Sequence, residues 1–209
     1  MNVVCLIADI VGSRNVADRA KLQRDLNVRL TEVNTVSKAN LISPYTITLG
    51  DEFQAVYKDF GSVFHDISDI LWAVYPNRVR FSLGRGILTT DINRSSATGM
   101  DGPAFYSARN QLTSLKQYKR TIIAISGSEL ANIKLINKSL LLFSREFEKW
   151  NRTALGCFVH LLHGKSIGEI VKAVGVKQRA VYKTISSKQI RDYVDFFELL
   201  PQAIEESEL

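Results

Sequence analysis

Apolar residues recur along this chain with two periods, and the order in which those periods alternate outlines a fold. Val3 to Ala8 is a short run of β-branched and aliphatic residues, which predicts a buried strand. The run continues through Asp9 and Ile10 into a Gly12-Ser13 turn. Between Asp18 and Ser37, Leu22, Leu26, Leu30 and Val33 recur at helical spacing and predict an amphipathic helix. YTITLGDEFQAVYKDF (45–60) alternates on both sides of Gly50-Asp51, as in a two-strand hairpin with a tight acidic turn. Val63, Phe64, Ile67, Ile70, Leu71 and Val74 mark a second helix that stops before Pro76. RVRFSLGRGILTT (78–90) reads as a further strand, and a Ser/Gly/Asp-rich loop (91–103) leads into a helix from Pro103 to Lys116. RTIIAIS (120–126) predicts a fifth strand, followed by a helix and polar linker to about Phe147.

The order β-α-β-β-α-β, with an α-β addition, predicts an α+β fold of the ferredoxin-like, split β-α-β kind: an antiparallel sheet with helices on one face. From Trp150 onwards the pattern is wholly helical. The expected organisation is a sheet domain over 1–147 and a small all-α domain over 148–209.

Bulk composition then narrows the class. The 209 residues are 45% hydrophobic and 23% charged, with no low-complexity tract, as in an ordinary globular chain. No apolar run approaches the ~18 residues of a membrane span, and the N-terminal segment lacks the basic start of a signal peptide. Cys5 and Cys157 lie far apart in apolar surroundings, which predicts buried thiols, a reducing environment and a cytoplasmic location. Charge is uneven. Lys165, Lys172, Lys177, Arg179, Lys183, Lys188 and Arg191 face Glu169 alone, an excess equal to the net +6 of the whole chain. Glu198, Glu205, Glu206 and Glu208 then reverse the sign. Such local concentration points to a partner for the basic segment.

Asp9 raises a chemical question, because a carboxylate at the end of a core strand is costly to desolvate. In this topology the end of the first strand and the Asp51 turn meet at one rim of the sheet, with Glu52 beside them. Neighbouring carboxylates repel unless a cation lies between them. Mg²⁺ suits the place, since it prefers oxygen ligands and is commonly completed by substrate phosphates. Gly12 and Ser13 would let the backbone turn closely around a phosphate tail. A strand-end Asp that only bonds its own turn is the plainer alternative. Arg80 and Arg85, on a strand and its exit, suit structural salt bridges. Gly84 and Gly86 suit a bulge.

These segments resemble a known family. ADIVGSR (8–14) resembles the metal-binding strand end of class III nucleotidyl cyclases. LGDEFQAV (49–56) resembles their second metal hairpin and the GGDEF signature of diguanylate cyclases, with Leu49 replacing the first Gly. GPAFYSARNQL (102–112) resembles the helix carrying their transition-state residues, with Arg109 at the matching Arg. In order and spacing the chain is most similar to SatD-type bacterial proteins, which join a cyclase-like palm to a helix-turn-helix. The resemblance implies Mg²⁺ held by Asp9, Asp51 and Glu52. It also implies a nucleotide, such as a nucleoside triphosphate, met by Ile10, Gly12, Ser13 and Arg109, and a homodimer. Two positions depart from the cyclase pattern: Phe105 stands where cyclases carry an Asn, and Ile47 where they carry a base-reading Lys. Losing a preorganised donor from such a site typically costs ~10²–10³ in rate, so binding is better supported than cyclase turnover.

The basic segment has its own grammar. A helix from Thr153 to Leu162 ends at His163-Gly164. Ser166 is placed to N-cap a short helix, with Glu169 as its capping-box partner. Gly175 supplies the turn, and Lys177 to Ile185 forms the next helix. Two short helices about a Gly-containing turn make a helix-turn-helix, whose second helix enters the major groove of double-stranded DNA. Lys177, Gln178, Arg179, Tyr182 and Lys183 would face it, Gln and Arg toward base edges and Lys toward phosphates. A helical protein-interaction bundle with a solvated basic face is the alternative. His160 and His163 lack metal-spaced partners and read as structural or surface residues, and Trp150 reads as a core anchor. The leading expectation is a cytosolic regulator in which a metal–nucleotide palm is coupled to a DNA-binding helix-turn-helix. An active Mg²⁺-dependent nucleotidyl cyclase and an inert palm serving for dimerisation are the rivals.

Overall fold

The computed structural model describes residues 2–118, 122–128 and 130–206; Arg120 and Thr121 of the expected fifth strand and Glu208 of the acidic tail lie outside these. The first half alternates β1 (Asn2–Ile10), α1 (Arg19–Val36), β2 (Leu41–Leu49), β3 (Glu52–Tyr57), α2 (Val63–Val74), β4 (Val79–Ile87), α3 (Pro103–Tyr118) and β5 (Ile123–Ser126). The rest is helical: α4 (Ile133–Phe147), α5 (Arg152–Leu162), α6 (Ile167–Val174), α7 (Gln178–Ser187) and α8 (Ile190–Glu205). The strand order is β2-β3-β1-β4-β5. β1 pairs antiparallel with β3 and β4, as a split β-α-β unit requires, while β5 joins β4 in parallel.

Strand parity divides the core. Val4, Leu6, Ala8 and Ile10 of β1 face one core with α1 and α2. Val3, Cys5 and Ile7 face a second core with Ala104, Phe105, Ala108 and Leu112 of α3. Helices thus cover both faces of the sheet, whereas the sequence predicts one. The reason lies on β4. A Cβ on Gly84 would stand 2.2 Å from the Ala104 carbonyl oxygen and 2.6 Å from the Ala108 nitrogen. One on Gly86 would stand 3.0 Å from the Ala104 nitrogen. These glycines are a bed for α3, and the Ser82 hydroxyl donates to the Ala108 carbonyl at 2.7 Å to fix the helix there. Beside α3, the loop after β4 closes over β2 and β3, where Gln54 donates to the Ala97 carbonyl and Ser43 to the Asn93 carbonyl.

α4 seals the β5 edge with side chains. Asn137 accepts from the Ile125 N–H at 2.9 Å and donates to its carbonyl at 2.7 Å, imitating a paired strand. The four C-terminal helices then extend the first core without a break. Phe143 of α4 lies 4.6 Å, ring to ring, from Phe197 of α8, and Phe64 of α2 lies 5.6 Å from the same residue. Trp150 sits among Phe143, Phe147, Phe158 and Tyr193. All three histidines fall on the seam of α2 and α5: His163 Nε2 is 3.1 Å from Asp69 Oδ1, His65 packs on His163, and His160 packs on Trp72.

One carboxyl is buried inside the first core. Asp66, in the first turn of α2, accepts from the Ser37 hydroxyl and from the Tyr57 hydroxyl, each at 2.6 Å. Burial nonetheless pushes its pKa up to about 6, against an ordinary 3.8. Between those values the folded protein holds a proton that the unfolded chain has released. Stability therefore falls as pH rises through that window, by roughly 2–3 kcal/mol from this group. We expect Asp66→Asn to flatten that part of the profile in chemical denaturation at pH 4.5 and 7.5. Parallel profiles for the two proteins would show that Asp66 does not titrate with folding.

Candidate functional site

Parity also sets the rim. Asp9 is the next odd position after Val3, Cys5 and Ile7, so β1 carries it onto the α3 face. There it stands in a row across three strands, opposite Glu52 on β3 and Arg80 on β4. Asp9 and Glu52 are each only 7% exposed, a burial that requires partners. Arg80 Nη1 is 3.3 Å from Asp9 Oδ2, and Arg109 Nη1 is 2.6 Å from Glu52 Oε1. Lys116 bridges the two acids, its Nζ 3.5 Å from Asp9 Oδ2 and 3.9 Å from Glu52 Oε2. Burial still raises the Asp9 pKa; Lys116 and Arg80 oppose the rise, and the nearby Asp51 charge adds to it.

Asp51 joins this rim through the backbone and through Ser13. The Ile10 N–H donates to the Asp51 carbonyl at 3.0 Å, and the buried Ser13 hydroxyl donates to Asp51 Oδ2. Gly12 makes the turn possible with φ 66, a left-handed conformation suited to glycine. Ile10 itself puts its side chain into the core and uses only its N–H at the rim. Phe105 and Ile47 are both packing residues, in line with their apolar character.

The donor set is one of hard oxygens. Asp9 Oδ1 is buried and has no hydrogen-bond partner among the described residues. Also among the described residues, no three acid, His or Cys side chains converge as a metal cluster. A Mg²⁺-type ion commonly takes one or two carboxylates and completes its shell with water and phosphate oxygens. Asp9 and Asp51 would offer such an ion two carboxylates, while Glu52 is directed to Arg109. Sequence reasoning finds the acids, Ser13 and Arg109 but misses Lys116. Its signal is the spacing of seven from Arg109, two helical turns along nearly the same side of α3.

The basic segment is built as its sequence spells. Ser166 and Glu169 form a reciprocal capping box at the start of α6, and Gly175 ends it with φ 71. Lys177 is the N-cap residue of α7, which buries Val181 and Ile185. Lys177, Gln178, Arg179, Tyr182 and Lys183 are all exposed.

The sequence profile of the SatD family matches residues 3–195. The chain belongs to the SatD family. Comparison of this SatD-family chain with curated proteins gives no match. Among solved structures it is similar to a bacterial light-regulated adenylyl cyclase, with TM-score 0.46 and 16% identity over 64% of this chain and 77% of that one. It is also similar to a guanylate cyclase domain from Catenaria anguillulae in complex with GTP, with TM-score 0.36 and 16% identity over 60% and 78% of the two chains. A regulator of polyketide synthase expression from Bifidobacterium adolescentis aligns along 99% of this chain and 86% of its own, with TM-score 0.29 and 14% identity. No helix among the described residues of the SatD-family chain is long and apolar enough to cross a membrane.

The buried row yields a direct test. Arg80→Met leaves Asp9 with the half-exposed Lys116 alone and should cost about 3 kcal/mol, whereas Asp9→Asn with Arg80→Met should recover part of that loss. A double-mutant cycle by urea denaturation measures the coupling; additive losses would mean the pair does not interact.

Proposed function

We propose that this SatD-family protein is a DNA-binding regulator. In this reading α6 and α7 form a helix-turn-helix, and the sheet domain is a cyclase-like palm that receives a metal–nucleotide. The observation that carries the DNA reading is the N-terminal end of α7, where Lys177, Gln178, Arg179, Tyr182 and Lys183 are exposed together. The capping box and the left-handed Gly175 fix the helix before it, so these side chains project from a rigid base. Gln178 and Arg179 would read base edges, and the lysines and Tyr182 would meet the backbone. A homodimer would present two α7 helices to a two-fold site.

For the palm, the unpartnered Asp9 Oδ1 supports a divalent ion at Asp9 and Asp51, with Glu52 at its margin. When bound, that ion would supply a positive seat for phosphate oxygens. Gly12, the Ser13 hydroxyl and the Ile10–Ser13 backbone would border the phosphate tail. Arg109, half exposed, would turn from Glu52 toward the same charge. With Phe105 and Ile47 in place of an Asn and a Lys, recognition of a nucleotide is the favoured role and its cyclisation is not. The division at about residue 148 would be one of role, since a single core runs through both parts.

Fluorescence anisotropy with duplex DNA should show binding that weakens steeply with salt. Arg179→Ala should lower affinity by about 5- to 150-fold, and Lys177→Ala should reduce the salt slope by about one. A protein indifferent to duplex at low salt defeats the DNA reading. In parallel, calorimetry with Mg²⁺–ATP and Mg²⁺–GTP should show saturable binding that Asp9→Asn with Asp51→Asn removes. Binding unchanged by that variant places the nucleotide elsewhere.

A further inference from the structure

We infer that Lys116 is a tethered competitor for the divalent cation: its ammonium holds the Asp9–Glu52 pair until the ion displaces it. The inference rests on the metal reading of the palm and adds a residue to it. Three cations face the acids, and they differ in freedom. Arg80 is a strand residue with 12% of its side chain exposed, fixed in the row beneath α3. Arg109 reaches Glu52 alone. Lys116 touches both acids, at 3.5 and 3.9 Å, yet 44% of its side chain is exposed in the last turns of α3. Of the two cations that touch Asp9, Arg80 and Lys116, it is the one that can leave by rotating its own stem, without moving the helix.

Its position also favours departure. An ion bound through Asp9 would share a carboxylate with an ammonium 3.5 Å from the other oxygen. Two positive charges at that range, on a residue only 7% exposed, are poorly screened. With Arg80 fixed on the same oxygen, the inward Lys116 and a bound ion therefore compete for the remaining negative charge of the two acids. Once outside, the ammonium stands at the mouth of the same rim, where a polyphosphate arriving with the ion would take it as a partner. Cation and polyphosphate would then assist each other, the second stabilising the Lys116 position that the first requires.

The test uses Mn²⁺ alone, counted by electron paramagnetic resonance of the free ion, on the full chain. Lys116→Met should tighten Mn²⁺ binding by about tenfold or more, and Lys116→Arg should leave it weak. Asp9→Asn should abolish it in both backgrounds. Lys116→Gln, which keeps a polar side chain, serves as a second variant if the Met form folds poorly, and should also tighten binding. Equal affinity in wild type and both neutral variants, with binding still lost in Asp9→Asn, overturns the Lys116 inference and leaves the metal reading intact. No Mn²⁺ binding by any form overturns both.

Discussion

The alternation of side chains along β1 is the constraint on which the rest depends. Because successive residues of a strand point to opposite faces, the apolar run that fills two cores also fixes where its last carboxylate emerges. Asp9 follows the odd series Val3, Cys5 and Ile7, so it is committed to the face covered by α3. Desolvation there demands charge, and the fold supplies it from two elements: Arg80 from β4, and Arg109 and Lys116 from α3. The helix reaches the sheet closely enough because Gly84 and Gly86 present no side chain beneath it. A packing device on one strand thus decides the electrostatics of another.

The same economy joins the two halves of the chain. Phe143, Phe158 and Phe197, from α4, α5 and α8, pack on one another, and Phe197 also meets Phe64 of α2. Glu205, near the end of α8, accepts from the Phe60 N–H at 3.3 Å, just ahead of α2. α2, α4, α5 and α8 are thus joined by packed side chains rather than by a flexible tether. The histidine seam adds polar contacts between α2 and α5. Asp69 raises the His163 pKa through their hydrogen bond, while burial lowers that of His65, so the ring pair carries unlike proton affinities.

Much of this was legible in the residues. The β-α-β-β-α-β order, the hairpin turn at Gly50-Asp51 and the capping box of Ser166 and Glu169 all depend on periodicity or on bonds between near neighbours, which a linear string displays. So does the surface of α7, since burying Val181 and Ile185 on one side leaves Lys177, Gln178 and Arg179 on the other. Membership of the SatD family follows from the same string. What the sequence could not decide is which charges meet. Lys116 is one lysine among many until α3 lies across the sheet, and Gly84 reads as a bulge until a helix rests on it. Asp66 sits in an amphipathic helix like any solvated acid, and only packing between Ser37 and Tyr57 turns it into a buried carboxyl. Local pattern fixes elements because their bonds are short in sequence. Pairings between distant elements depend on distances that exist only after the layers close, and the neutralisation of Asp9 is one of them.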